Sequence, residues 1–356
     1  MTVPYETIDT PALIVDLDRV RANVEEMAAV AARHGVALRP HVKTHKMPEL
    51  ATAQLAAGAA GITCAKLGEA EVMADAGCAD ILLAYPLWGE PKLERLRALR
   101  ERARVRVSLD SVEVAEQLGR VAGRAPIEVF VEVDTGLGRL GRPPGRPTAE
   151  LAGAIEKVPG VRVAGLLTHA GHAYRTTTSE ELRRVAEREV TDLVETAGLC
   201  GGGLEISVGS TPTARHAAAV PGVTEIRPGT YVFNDATMIR LGVATEATAA
   251  ARILATVVAR PASDRFVVDA GTKCLAADGR PEDIVVAGRP ELGMRFLSEE
   301  HGVGRCPADG GPEIGERLEL IPNHVCPVSN LFDHAHGVRG GAPAGELAVA
   351  ARGRVR

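Results

Sequence analysis

Short runs of β-branched and apolar residues alternate with longer amphipathic stretches through the first two thirds of the chain. The runs predict strands over 36–43, 61–65, 80–84, 104–109, 127–133, 161–168, 204–208 and 223–227. Between them, LGEAEVMADAG, EPKLERLRALRERA, SVEVAEQLGRVAG, TAELAGAIEKV and SEELRRVAEREVTDLVETAG carry apolar residues at helical spacing. DRVRANVEEMAAVAARHG predicts an amphipathic helix ahead of the first strand. Eight strand–helix units are the count of a (β/α)8 TIM barrel, an α/β fold. Their regular spacing favours closure over a doubly wound open sheet.

After about residue 245 the helical period fades. ARILATVVAR, RFVVDAG, EDIVVAG, ERLELIPNHV and GELAVAAR are short and bounded by Gly, Pro and Asp, which predicts a mostly antiparallel β domain. HGVGRCPADGGPEIGE reads as a loop. TPALIVDLD is expected to add a strand to that domain before the barrel begins. The division is a barrel over 17–245 and a β domain of 1–16 plus 246–356.

Composition narrows the function. The 356 residues are 46% hydrophobic, enough for a large core. Net charge is −5 with both signs interspersed, which argues against nucleic-acid and membrane-surface partners. No apolar run reaches the roughly 18 residues of a membrane span. MTVPYETIDTPAL lacks a basic-then-apolar leader pattern, so a cytoplasmic enzyme is expected. Cys64, Cys78, Cys200, Cys274, Cys306 and Cys326 are scattered without a C-x-x-C, which argues against a disulfide framework.

In a TIM barrel the chemistry collects at the C-terminal ends of the strands. The first run ends in RPHVKTHK. Strand alternation puts Arg39, His41 and Lys43 on the inward face, with Lys43 nearest the top. A lysine desolvated there is a candidate nucleophile. Lys46, just before Met47 and Pro48, reads as a solvated surface lysine. The fifth run leads into EVDTGLGRLGR, whose glycines permit a tight turn that projects Arg139. The sixth ends in THAGHAY and gathers His169, His172 and Tyr174. The last two end in GSTPT and EIRPGTYVFND. Ser210 and Thr211 at a helix start, with Gly229 and Thr230, form a candidate phosphate site. A phosphate clamp with a buried lysine fits pyridoxal phosphate.

The motifs TPALIVDLD, RPHVKTHK, EVDTGLGRLGR, THAGHAY, GSTPT, EIRPGTYVFND, VVDAGTK and PNHVCPVSNLFD occur in order along the chain. Together they resemble the fold-type III pyridoxal-phosphate enzymes of the alanine racemase-like superfamily, nearest the D-threonine aldolase and D-serine dehydratase branch. The resemblance implies that Lys43 carries the cofactor as a Schiff base. It implies that Arg139 bonds the cofactor's phenolic oxygen and that His169 packs on its ring, with Tyr174 in the same cofactor-binding set. Ser210, Thr211, Gly229 and Thr230 would hold the phosphate, and Arg227 would face the pyridine nitrogen.

His324 and Cys326 are two apart on a predicted strand, so they are expected to share a face. Imidazole plus thiolate suits zinc, with manganese or magnesium as harder alternatives. In the resembling branch this position binds a divalent ion, His-x-Cys in the dehydratases and His-x-Asp in the aldolases. The pair here is of the dehydratase type, although the flanking P-x-x-N-L-x-D looks like the aldolases. The implied reaction is metal-assisted elimination from a D-3-hydroxy-α-amino acid, giving a keto acid and ammonia. The alternative is retro-aldol cleavage to glycine and an aldehyde, with His172 as the nearest base. A two-base racemase is disfavoured because the tyrosines are Tyr5, Tyr85, Tyr174 and Tyr231, none in the β domain beyond 245. A non-catalytic cofactor carrier would lack a second domain. The resemblance also implies a homodimer.

Overall fold

The computed structural model describes residue 5 and residues 7–356. Residues 1–4 and 6 lie outside the described residues, and with them part of the segment read for a leader pattern and assigned to the β domain. The chain forms two compact units. One comprises Glu25–Lys43, Pro48–Gly229 and Gly353–Arg356; the other comprises Met1–Val24, Thr44–Met47 and Thr230–Arg352.

The order begins with β1 (Ala12–Asp16) and α1 (Leu17–His34). The barrel strands are β2 (Ala37–Leu38), β3 (Ile62–Cys64), β4 (Asp80–Leu83), β5 (Arg104–Leu109), β6 (Ile127–Glu132), β7 (Val161–Leu167), β8 (Glu205–Val208) and β9 (Glu225–Ile226). The helices between them are α2 (Pro48–Ala56), α3 (Leu67–Asp75), α4 (Glu90–Arg100), α5 (Val112–Gly119), α6 (Arg146–Ile155), α7 (Ser179–Leu199) and α8 (Thr211–Ala218). All neighbouring strands pair in parallel, in the order β2-β9-β8-β7-β6-β5-β4-β3. A bridge between His41 and Thr63, with the Thr63 N–H donating to the Pro40 carbonyl at 2.7 Å, joins the two ends and closes the TIM barrel. Strands covered on both faces bury nearly every residue, which is why they read as continuous apolar runs.

The first predicted strand is much shorter than expected. Only Ala37 and Leu38 pair as a strand, and Val42–Thr44 is a 3-10 turn. Pro40 lacks an N–H for a ladder, and Lys43 is therefore placed by a turn rather than by strand alternation. Arg39 is almost wholly buried and bonds Glu225 at 2.6 Å and Asp80 at 2.7 Å. Arg106 joins this network through Asp80 at 3.3 Å and Glu205 at 3.0 Å. Charges this deep are retained because each is paired.

The other unit is built on one sheet. Its strands are β1 with β10 (Ala251–Ala262), β11 (Arg265–Val268), β12 (Val285–Val286), β13 (Gly293–Leu297), β14 (Gly302–Arg305), β15 (Arg317–Ile321), β16 (His334–Arg339) and β17 (Ala342–Ala348). The order is β13-β14-β11-β10-β1-β16-β17, with β15 pairing β10 and β12. TPALIVDLD supplies β1 as expected, and its parallel pairing with β16 is the exception in an otherwise antiparallel sheet. The segment read as a loop over 301–316 contains β14, whose apolar signal is diluted by Gly302 and Gly304. At Gly304 a Cβ would come within 2.1 Å of the Phe266 ring, so only glycine fits that cross-strand position. Three short helices, α9 (Ala236–Arg240), α10 (Thr272–Leu275) and α11 (Val325–Ser329), complete the unit. All six cysteines are free thiols. Among the described residues no helix is long and apolar enough to cross a membrane.

Candidate active site

In the barrel unit the candidates converge through the strand ends. The His169 Nδ1 lies 2.7 Å from the Gly209 carbonyl. A carbonyl only accepts, so Nδ1 carries the proton and Nε2 keeps its lone pair. Burial is the largest influence on this ring, followed by the charge of Lys43, and together they lower its pKa to about 3. The ring is neutral at physiological pH, and Lys43 is close enough to act on it. Tyr174 sits beside it, ring centroids 6.5 Å apart.

The α8 start has the properties of an anion site. Ser210 occupies the N-cap position, but its hydroxyl does not cap the first turn. It pairs with the Thr213 hydroxyl at 2.9 Å instead, so it leaves the N-terminal N–H groups uncapped. The Gly229 N–H donates to the Thr211 hydroxyl at 3.2 Å, which ties the two loops together. At Gly209 a Cβ would fall 2.8 Å from the Arg227 nitrogen, so the approach of these loops needs glycine. A helix start without its side-chain cap, two small hydroxyls and a bare backbone fit a phosphate.

Arg227 is buried and donates to the Ser207 hydroxyl at 2.6 Å and the Thr168 carbonyl at 2.5 Å. Burial lowers its pKa, against the pull of Glu225, Glu132 and Glu189. Arg139 is half-exposed, with its guanidinium 3.6 Å from the Glu132 carboxylate. Its turn is organised by Asp134, which accepts the N–H groups of Gly136 and Gly138, each at 3.0 Å. The His172 Nδ1 is buried without a hydrogen-bond partner. Burial, partly opposed by Asp134, lowers its pKa, so His172 is a neutral base.

Lys46 is not the solvated lysine expected from its neighbours. Only 8% of it is exposed, its φ is +58°, and its carbonyl accepts from Ala351 at 3.1 Å. The turn that ends the 3-10 segment draws it inside.

In the other unit His324 and Cys326 do not lie on a strand. His324 is the N-cap residue of α11 and Cys326 is in its first turn. Pro322 and Pro327 flank the pair, and the chain turns after β15 rather than extending it. The two side chains nevertheless meet. Burial pulls the His324 pKa down, but hydrogen bonds that its ring donates to Asp278 and Cys326 reverse this and raise it to about 10. The Asp278 carboxylate contacts the His324 Nδ1, and the Cys326 sulfur lies 3.2 Å from the Thr44 hydroxyl and 3.8 Å from that of Thr230. Thr230, read as a phosphate residue, thus lies beside Cys326. Asp235 supports the same turn by accepting the Val325 N–H at 3.1 Å, and burial raises its pKa to about 6. A carboxylate orienting an imidazole that meets a thiol is a donor set suited to a divalent ion.

Asp278 was invisible to sequence reading, because no spacing links it to a histidine 46 residues away. Its loop is also constrained: Gly279 has φ +86°, and a Cβ there would meet the Asn323 amide at 2.3 Å. Gly279→Ala is expected to destabilise the unit by about 1–3 kcal/mol, seen as a lower melting temperature.

Glu189 was also missed. It lies seven residues after Leu182 and three after Ala186 on the apolar stripe of α7, and that periodicity was the available signal. Burial raises its pKa to about 7, against the lowering effect of Thr213, Arg227 and the Ala170 N–H. A carboxyl raised on folding binds more protons in the native state, so it costs stability as pH climbs from its unfolded value through 7. Glu189→Gln is expected to stabilise the protein at pH 8 by about 1–3 kcal/mol, with no gain near pH 4. Melting curves across pH check this.

The alanine racemase N-terminal domain model matches residues 15–237. The chain belongs to the alanine racemase-like family. The putative serine dehydratase domain model matches residues 250–338, which places the chain in the aldolase and dehydratase branch of these fold-type III pyridoxal-phosphate proteins. Two curated relatives are similar nearly end to end. D-threo-3-hydroxyaspartate dehydratase of Delftia sp. (strain HT23) is 38% identical, over 92% of this chain and 93% of its own length. D-threonine aldolase of Arthrobacter sp. is 37% identical, over 98% and 94%. Among solved structures, D-threonine aldolase from Filomicrobium marinum superposes with a TM-score of 0.90 at 34% identity, covering 98% of this chain and 97% of its own. A cysteine-to-alanine mutant of D-threo-3-hydroxyaspartate dehydratase, described as the metal-free form, superposes with a TM-score of 0.87 at 35% identity over 98% of each chain.

Proposed function

We propose that this protein is a pyridoxal-phosphate- and divalent-metal-dependent lyase of D-3-hydroxy-α-amino acids, acting as a dehydratase. The observation that carries the reading is the His324–Cys326 pair with Asp278 behind the imidazole. Zinc is the metal this donor set favours. The proposal includes the division into a cofactor barrel over 17–245 and a metal-bearing β domain of 1–16 plus 246–356. Homodimeric assembly and a cytoplasmic location complete it.

Ser210, Thr211 and Gly229 hold the cofactor phosphate, joined by Thr230. His169 presents a neutral face to the ring, flanked by Tyr174, and Arg139 and Arg227 bond its polar atoms. When bound, the cofactor supplies an electron sink for charge developing at the substrate α-carbon. Lys43 would anchor the cofactor through its amine and, once the substrate amine displaces it, that freed amine would take the α-proton. His324 and Cys326 hold the ion, and Asp278 keeps the imidazole oriented. When bound, the ion supplies a Lewis acid for the departing β-hydroxyl. Water is lost across Cα–Cβ and regained on hydrolysis of the released enamine, so the products are a keto acid and ammonia.

The second reading, retro-aldol cleavage, is favoured by the high structural similarity to a D-threonine aldolase. There the neutral His172, with its unpartnered Nδ1, takes the hydroxyl proton. Products decide between them. Ammonia and keto acid from D-serine, D-threonine or D-3-hydroxyaspartate are expected. Glycine and aldehyde would overturn the dehydratase reading, and no reaction with any of the three would overturn the lyase reading.

A further inference from the structure

Strands β16 and β17 carry a second cluster of metal-ligand side chains, apart in sequence from His324 and Cys326. His334 and His336 are two apart on β16 and therefore share a face. The register sets His336 directly opposite Glu346 on β17. One Glu346 oxygen lies 3.7 Å from the His334 Nε2 and 3.9 Å from the His336 Nδ1. The imidazoles meet edge to face with centroids 5.2 Å apart. The three ligand atoms all lie within 4.8 Å of one another, the one such trio of His, Cys, Asp or Glu among the described residues.

We propose that His334, His336 and Glu346 form a second divalent-metal site that takes a first-row transition ion such as zinc, cobalt(II) or nickel(II). The separations are too long for hydrogen bonds, so hydrogen bonding among the three does not account for their convergence. Two imidazoles and a carboxylate around an ion at about 2.0–2.2 Å place their donor atoms roughly 3–3.5 Å apart. The present spacing reaches that with movements of about an ångström of side chains that are at least partly exposed. The backbone does the work of preorganisation: alternation fixes the two histidines, and the ladder fixes the glutamate. A surface depression lined by Asp9, Thr10 and Asp333 adjoins both histidines and leaves room for water or a fourth ligand. The donor set is two nitrogens and an oxygen, with no sulfur, so it is spectroscopically distinct from His324 and Cys326. An ion here ties β16 to β17.

The test uses the cofactor-loaded protein, stripped with chelator and equilibrated with cobalt(II). The wild type is expected to retain two cobalt ions per chain after gel filtration. His334→Ala is expected to retain one and to keep the near-ultraviolet thiolate-to-cobalt absorbance. Cys326→Ala is expected to retain one and lose that absorbance. Glu346→Gln, a milder change at an exposed position, is expected to weaken the second site by about tenfold or more. Equal metal-free melting temperatures for the His334 and Glu346 variants and the wild type show that folding is intact. The proposal is overturned if the wild type retains a single ion, if His334→Ala still retains two, or if the second ion washes off as an adventitious ion only.

Discussion

Lys43→Ala is expected to remove the visible Schiff-base absorbance of the pyridoxal-phosphate-loaded protein and to lower turnover by about 10³-fold or more. Lys46→Ala is expected to keep that absorbance. The two lysines are three residues apart, yet their surroundings differ in kind. The charge of Lys43 bears on His169, whose pKa burial and that charge hold at about 3. Lys46 is held by its left-handed backbone and the contact of its carbonyl with Ala351. Loss of the absorbance in the Lys46 variant and its persistence in the Lys43 variant would reverse the assignment. Because Lys46 is buried, its variant can lose stability without losing the spectrum, and recording both separates the two effects.

Cys326→Ala and His324→Ala are expected to lose the ion held by this pair, leaving the one at His334, His336 and Glu346, and to reduce lyase activity by about 10²-fold or more, while the Lys43 absorbance remains. Metal content and spectrum, measured on the same sample, give this pattern or refute it. Asp278→Asn is expected to be milder, because it alters the group that orients the imidazole rather than a ligand. Cys326→Asp replaces a soft donor with a hard one and is expected to move the preference from zinc toward manganese or magnesium. A Cys326→Ala variant that keeps full metal content and full activity would remove the basis for the metal-assisted reading.

The fold was legible because its signals are local. Each barrel strand is a short apolar run and each helix a 3.6-residue pattern, and eight repeats leave few alternatives. Ser210 and Thr211 were legible for the same reason, since a Gly-Ser-Thr-Pro sequence predicts a helix start. The first strand stops at Leu38 because Pro40 cannot extend the ladder and the chain turns into a 3-10 segment at Val42–Thr44, which no local alternation signals. His324 and Cys326 were found by residue type, although the strand that was to bring them together is a helix start. The β14 strand has a weak sequence signal because two of its four residues are glycines, of which Gly304 makes room for the Phe266 ring.

The order of motifs and their periodicity were enough to determine the barrel and the family, and to single out Lys43, His324 and Cys326 as candidates. Such features depend on neighbours within a few residues, and the chain carries them in any conformation. Only the tertiary structure decided that Lys46 is buried, that Asp278 stands behind His324, that the Glu189 carboxyl is fully buried, and that Glu346 meets His334 and His336. Each of those facts is a distance between segments far apart in sequence or a loss of solvent on packing. A distance or a desolvation of that kind exists only after the core has formed, so no local pattern records it.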